Sequence, residues 1–169
     1  GGPRGEDEML LYCDLDRRLP FTDPFDRQIT MGCGAFLELY RIAAASQGRA
    51  AEVEPFPEGE PAPRLDARPI ARVRFNPVAN AAPDPLFAHI GARRTNRNDY
   101  DAARAPSEAQ GAEIAASTAV PGAISDAALI VGAQSEPSAV ARIRDLVWRA
   151  FDREMRTRGA QVETYKWLR

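Results

Sequence analysis

The sequence has few of the residues that build metal sites or disulfide scaffolds. Its 169 residues include two cysteines and one histidine, too few for a disulfide framework or a four-ligand zinc site. No run of eighteen or more apolar residues occurs, so the sequence predicts no transmembrane helix and no membrane partner. The first ten residues also lack the apolar segment of a signal peptide. These absences favour a soluble protein without a bound metal.

The chain also lacks an excess of charge of either sign. It carries 22 Lys and Arg residues against 24 Asp and Glu residues, a net charge of −2. Such a molecule has no overall field that attracts nucleic acid, and no aromatic platform is interleaved with its basic residues. We therefore expect no nucleic-acid partner, and any anion site must be local. Almost every cation is an arginine, because Lys166 is the only lysine.

Hydrophobic periodicity in the first half predicts strands around one long helix. The helix has an apolar side chain every three or four residues, with an N-cap and a first-turn proline before it and a glycine after it. The predicted elements are a buried strand over Met9–Leu15, a helix from Asp23-Pro24 to Gly48, and strands over Glu52–Phe56 and Arg72–Phe75.

The second half predicts three helices, one buried strand and the start of a further helix. A short helix opens at Asp84-Pro85, and Ser107-Glu-Ala-Gln110 has the form of a capping box before the next helix. The remaining elements are a strand over Ala128–Gly132, a long helix from Ser135 to Gly159 and a helix that begins at Val162. Together the two halves predict an α+β fold.

Three arginines and a hydroxyl follow the short helix within five residues: Arg93, Arg94, Thr95 and Arg97. In an extended backbone alternate side chains leave on the same side about 7 Å apart, which groups Arg93, Thr95 and Arg97. Guanidinium and hydroxyl groups suit phosphate oxygens. The pattern predicts an anion site, although an arginine cluster at a helix end is commonly a solvated cap that favours the helix dipole.

Two stretches of the sequence resemble the nitroreductase family of FMN-binding proteins. Residues 93–97 (RRTNR) are similar to its flavin-phosphate segment, and residues 23–35 (DPFDRQITMGCGA) are similar to bacterial two-repeat members described as carrying a twin-arginine export signal. The resemblance implies a nitroreductase-like α+β fold with an antiparallel or mixed sheet flanked by helices. It also implies that residues 9–75 end a first repeat and that residues 84–169 begin a second.

The same resemblance implies a cofactor and a reaction. Arg93 and Thr95 would bind the phosphate of FMN, Arg94 would support the phosphate or the ribityl chain, and Arg97 would reach toward the ribityl chain or the pyrimidine edge. The activity would be hydride transfer from NAD(P)H through the flavin to a small acceptor such as a nitroaromatic or a quinone. No catalytic side chain is singled out. The flavin would lie in a homodimer or in a pseudo-dimer of the two repeats.

Two other interpretations stay open at this stage. The chain could hold flavin without turning it over, or it could be a structural domain without a cofactor. In the structural case the arginines would cap a helix or pair with Asp99 and Asp101. The cellular location of the protein is open as well. Relatives often carry an export signal at a position that would lie before Gly1, and without such a signal the cytoplasm is the default expectation.

Overall fold

The computed structural model describes most of the chain as two compact units. The described residues are 7–78, 82–101, 103–117 and 134–167. One unit comprises Gly1–Thr95 with Gly159–Arg169, and the other comprises Asn96–Arg158. These units are defined by spatial contacts, whereas the two repeats assigned to residues 9–75 and 84–169 are defined by sequence resemblance. The assignment of the repeats therefore stays a prediction.

The first unit contains a small sheet with helices. Its elements are β1 (Glu8–Leu11), a 3₁₀ turn (Leu15–Arg17), α1 (Arg27–Ser46), β2 (Arg49–Pro55), β3 (Ala71–Pro77), α2 (Phe87–Ile90) and, from Gly159 onward, α5 (Arg158–Trp167). The elements of the second unit are α3 (Glu108–Ser117) and α4 (Pro137–Met155). None of the helices in the described part of the chain is long and apolar enough to cross a membrane.

The three strands form an antiparallel sheet in the order β1-β3-β2. Val73 of the central strand lies opposite Met9 on one side and Val53 on the other, and it is fully buried. The side chains of β3 alternate, so Arg72 and Arg74 leave from the other face and pair with Glu8 and Glu54. The α+β class is thus confirmed, with an antiparallel sheet in the described residues.

Helix α1 packs mainly against β2, and one aromatic pair also connects it to β3. The ring of Tyr40 lies 5.9 Å from that of Phe75, centroid to centroid. Ile42 and Ala44 near the C-terminal end of α1 are buried, as are Ile70 and Ala71 at the start of β3. The core of this unit therefore lies between the second half of α1 and the inner face of the sheet.

The long helix begins later than the sequence predicts. Asp26 has a left-handed backbone with φ of 55°, so regular helix starts at Arg27. Asp23 nevertheless caps it, because its carboxylate accepts the backbone N–H groups of Arg27, Gln28 and Ile29 at 2.8 to 3.0 Å. The prediction that Asp23 is the N-cap and Pro24 the first helical residue was therefore wrong in position, because Asp26 is the N-cap and Pro24 lies in the turn before it. Asp23 still supplies the capping carboxylate.

Other boundaries also differ from the sequence prediction, since β2 begins at Arg49 rather than Glu52 and α5 begins at Arg158 rather than Val162. Strand β1 ends at Leu11 rather than Leu15, because Asp14 turns the chain by accepting the N–H of Asp16 at 3.1 Å. Gly159 was predicted to end a helix but lies inside α5. A Cβ at Gly159 would come within 2.4 to 2.8 Å of the Phe21 ring, so close packing explains this glycine.

In the second unit the predicted capping box is confirmed. Ser107 N–H donates to the Gln110 side chain at 2.9 Å, and Gln110 N–H donates back to the Ser107 hydroxyl at 3.2 Å. Helix α4 begins at Pro137, where the Glu136 carboxylate accepts the N–H groups of Ser138 and Ala139. The strand predicted over residues 128–132 lies outside the described residues.

Candidate functional site

The arginine segment follows α2, whose start is fixed by Asp84. One carboxylate oxygen of Asp84 accepts the backbone N–H of Leu86 at 2.9 Å, and the other lies 3.0 Å from Nη2 of Arg41 on α1. At the other end of α2, the His89 carbonyl accepts the N–H groups of Ala92 and Arg93 at 3.2 and 2.9 Å. The chain then leaves the helix, and residues 93–97 adopt neither helix nor strand.

The four predicted cofactor-binding residues are all exposed, but they are not equivalent. Nη1 of Arg94 donates to the carbonyls of Gly91 and Arg93 at 2.9 and 2.8 Å. This guanidinium caps the carbonyl end of α2, as the structural interpretation expects for an arginine at a helix end. The Arg94 side chain is thus fixed by backbone carbonyls of its own segment.

Arg93, Thr95 and Arg97 differ from Arg94 because no described group pairs with their side chains. Within the described residues neither Asp99 nor Asp101 forms an ion pair with them, and the Asp101 carboxylate instead accepts the N–H of Ala103. The alternating members of the motif therefore keep their hydrogen-bonding capacity available for an external anion. The division between the two units falls between Thr95 and Asn96, inside the motif.

A second arginine cluster, which the sequence did not reveal, surrounds Asp26. The Asp26 side chain is fully buried, and the Arg64 guanidinium donates two hydrogen bonds to it at 2.8 and 3.2 Å. The N–H of Leu65 donates to it as well, and Arg18 lies 3.6 Å away. No local signal identifies this cluster, because Arg64 is 38 residues distant in sequence.

The electrostatics of this cluster identify it as structural. Burial by itself would raise the pKa of the Asp26 carboxyl, but hydrogen bonds and charge from Arg64, the Leu65 N–H and the charge of Arg18 hold that pKa below its usual range. Asp26 is therefore an ionised, fully partnered carboxylate. It joins the start of α1 to the loop before β3 and offers no free group to a ligand.

Glu163 connects the last described helix to the loop before α1. This buried carboxylate accepts the N–H and the hydroxyl of Thr22 at 2.8 and 2.7 Å, and it also lies within hydrogen-bond distance of the Phe21 N–H. Like Asp26, it is satisfied by the protein itself. The two buried carboxylates hold the loop before α1 in place.

The remaining polar candidates show no site. Burial raises the pKa of the Cys33 thiol and, as the largest of several causes, that of Cys13, which makes both poor nucleophiles. His89 is exposed on α2. Among the residues that the structure describes, no group of three His, Cys, Asp or Glu side chains is arranged to hold a metal ion.

Part of the chain is similar to curated proteins of Mycobacterium tuberculosis. It is 39% identical over 70 residues to "Putative NAD(P)H nitroreductase acg" of strain CDC 1551 / Oshkosh, and the same identity holds for the protein of that name in strain ATCC 25618 / H37Rv. The match covers 41% of this chain but only 20% of either relative. No family model matches the chain, and no solved structure matches it significantly.

The similarity supports a nitroreductase-like relationship for the matched part of the chain. It accords with the sequence resemblance and with the α+β class of the structure. The chemistry of the arginine segment is also suitable for a phosphate: two guanidinium groups and one hydroxyl, exposed and without a described partner, are strong donors for phosphate oxygens. A flavin phosphate therefore fits the residues present.

Proposed function

We propose that this chain contributes the flavin-phosphate site of an FMN-dependent oxidoreductase of the nitroreductase type. The observation that carries the proposal is the set of donors on Arg93, Thr95 and Arg97 that have no partner among the described residues. The partial similarity to proteins named as NAD(P)H nitroreductases supports the class of enzyme. Because the match spans a fifth of those relatives, the activity of the whole protein is part of the proposal.

In this site each side chain has a defined task. Arg93 and Thr95 bind the phosphate of FMN through charge-assisted and hydroxyl hydrogen bonds, and Arg97 is placed toward the ribityl chain or the pyrimidine edge. Arg94 supports the segment, since its guanidinium already bonds to Gly91 and Arg93. When bound, the flavin supplies the capacity to accept and donate hydride, while the protein supplies binding and charge.

The proposed reaction passes hydride from NAD(P)H to a small acceptor of the nitroaromatic or quinone class. A cation near the pyrimidine edge favours the anionic reduced flavin, because it offsets negative charge that develops there. The flavin is enclosed by a homodimer or by a pseudo-dimer of two repeats. These statements follow from the resemblance and form one proposal with the phosphate site.

A comparison of FMN with riboflavin tests the phosphate site directly. The two ligands share the isoalloxazine ring, and only FMN carries the phosphate. We expect the full chain to bind FMN more tightly, and Arg93→Ala or Arg97→Ala to weaken FMN binding about tenfold or more, as expected for loss of a hydrogen bond to a charged group. Riboflavin binding should stay unchanged in Arg93→Ala, whereas Arg97→Ala should weaken it as well, because FMN and riboflavin share the ribityl chain and the pyrimidine edge. Flavin fluorescence during titration measures both affinities.

Arg142→Ala is the matched control, because it removes one exposed arginine from α4 and makes the same change in net charge. It should leave both affinities at the parent values. A chain that binds FMN no better than riboflavin, or that loses as much affinity in the control, would contradict the phosphate site. If FMN binds as expected, oxidation of NAD(P)H with a nitroaromatic or a quinone then distinguishes turnover from simple retention of flavin.

A further inference from the structure

Asp84 connects two parts of the first unit through the two oxygens of one carboxylate. Oδ1 accepts the Leu86 N–H at the start of α2, and Oδ2 accepts a hydrogen bond from Nη2 of Arg41 on α1. Arg41 precedes Asp84 by 43 residues. The contact therefore joins the long helix, which packs on the sheet, to the short helix that leads into the arginine segment.

Helix α2 is too short to hold its own direction. It has four residues, and its N-cap residue, Leu86, has no side-chain group that could accept a capping hydrogen bond. The first turn of a helix costs more conformational entropy than its single hydrogen bond returns. Leu86 and Phe87 are also exposed, so apolar packing of these two residues adds little. The hydrogen bonds of Asp84 are thus the principal polar restraint on the start of α2.

The partner of Asp84 is itself fixed in place. Nε and Nη2 of Arg41 donate to the two oxygens of Glu38 at 2.9 and 2.7 Å, one turn earlier on α1. The Asp84 side chain is 18% exposed and that of Arg41 is 43% exposed, so the pair is partly shielded from solvent, and the second acceptor of Arg41 adds to its geometric restraint. The pKa of the Asp84 carboxyl is held below its usual range, mainly by the hydrogen bond from the Leu86 N–H and also by Arg41. The carboxyl group is therefore ionised at neutral pH.

We infer that Arg41 and Asp84 are positioning residues that fix the first part of the arginine segment, residues 93–95, relative to α1. This inference rests on the proposed function for its consequence in flavin binding. Asp84 starts α2, the His89 carbonyl at the end of α2 holds the N–H groups of Ala92 and Arg93, and the side chains of residues 93–95 follow. Loss of the pair leaves the anion-binding groups present but no longer held in one arrangement.

The test uses Arg41→Ala, Asp84→Ala and the double variant in the full chain. The first readout is hydrogen exchange at the Ala92 and Arg93 amides, which should become faster in each variant. The second is the ratio of FMN to riboflavin affinity, which should fall about fivefold in each single variant and no further in the double variant, as for two residues that act as a pair. Circular dichroism confirms that each variant is folded.

Two further variants separate the ion pair from general effects. Asp84→Asn keeps an acceptor for the Leu86 N–H but loses the charge that faces Arg41, so it should give an intermediate effect on both readouts. Arg149→Ala removes an exposed ion pair with Asp145 on α4, and it should change neither.

The two proposals fail in distinguishable ways. A parent chain that prefers FMN, combined with variants that keep both its preference and its exchange rates, would overturn the positioning inference and leave the proposed function intact. A parent without any preference for FMN would refute the proposed function. Faster exchange in the variants would then still support the role of the pair in fixing the segment, and unchanged exchange would refute that as well.

Discussion

Arginines occupy two contrasting environments in this protein. Arg64 and Arg18 surround the buried carboxylate of Asp26, whose oxygens are fully used by protein donors. Arg93 and Arg97 lie on an exposed segment and have no described partner. The same side chain thus has an internal acceptor in one region and no acceptor among the described residues in the other.

The contrast separates a structural role from a binding role. A buried carboxylate without its guanidinium partners would be an uncompensated charge, so the Asp26 cluster has a structural role and contributes to stability. An exposed arginine without a partner contributes little to stability, and its five donors stay available for an anion. Substitutions in the two regions should therefore affect different measurements.

The largest expected effect is on folding and comes from Asp26→Ala. The change leaves Arg64, Arg18 and the buried Leu65 N–H without their acceptor. The two guanidinium groups are partly exposed, so we expect a loss of about 1–3 kcal/mol, as for a buried polar group left unsatisfied. The free energy of unfolding, from urea denaturation followed by circular dichroism, measures the loss. Asp66→Ala is the control, since it removes a more exposed carboxylate that pairs with Arg68 and should cost far less. Equal losses in the two variants would contradict the contrast.

Acid should remove the same stabilisation from the parent protein. The pKa of Asp26 is lowered in the folded state, so its contribution is complete above the unfolded-state value of about 3.9 and is lost as the pH falls through the folded value. We expect the difference in unfolding free energy between the parent and Asp26→Ala to stay constant from pH 7 to about pH 5 and to shrink below about pH 4. A difference that grows in acid would show that Asp26 is not held ionised.

The smallest expected effect on stability comes from the exposed segment. Arg93→Ala and Arg97→Ala should change the free energy of unfolding by no more than about 0.5 kcal/mol, as is usual for surface positions. Arg94→Ala should lower it slightly more, because the Gly91 and Arg93 carbonyls lose a donor. Urea denaturation of the three variants checks this order. A large loss for Arg93→Ala or Arg97→Ala would mean that these side chains have a structural partner after all.

Local patterns predicted much of the fold. The capping box at Ser107, the strand around Val73, the long helix that Gly48 ends and the short helix before the arginines depend on neighbours in sequence, and each is present. The delayed start of α1 was missed because Asp26 adopts a left-handed backbone, and the same residue has its ion-pair partner, Arg64, 38 residues away. Periodicity carries no information about such a partner.

The candidate site shows the same limit. The sequence identified Arg93, Arg94, Thr95 and Arg97 as one group from their spacing, but it could not separate Arg94 from the others. That difference depends on the hydrogen bonds from Arg94 to the end of α2. The contact between Arg41 and Asp84 was equally hidden, since it joins two helices through an ion pair rather than through a repeating pattern.

The sequence by itself therefore determined the α+β class, most helices and strands, and the residue types suited to an anion. The tertiary structure decided which charged groups are already satisfied and which are free. The physical reason is that element formation follows short-range periodicity and capping, whereas the partner of a charged side chain depends on which distant residues the fold brings within hydrogen-bond distance. Arg64 has such a partner in Asp26, and no described residue serves as one for Arg93.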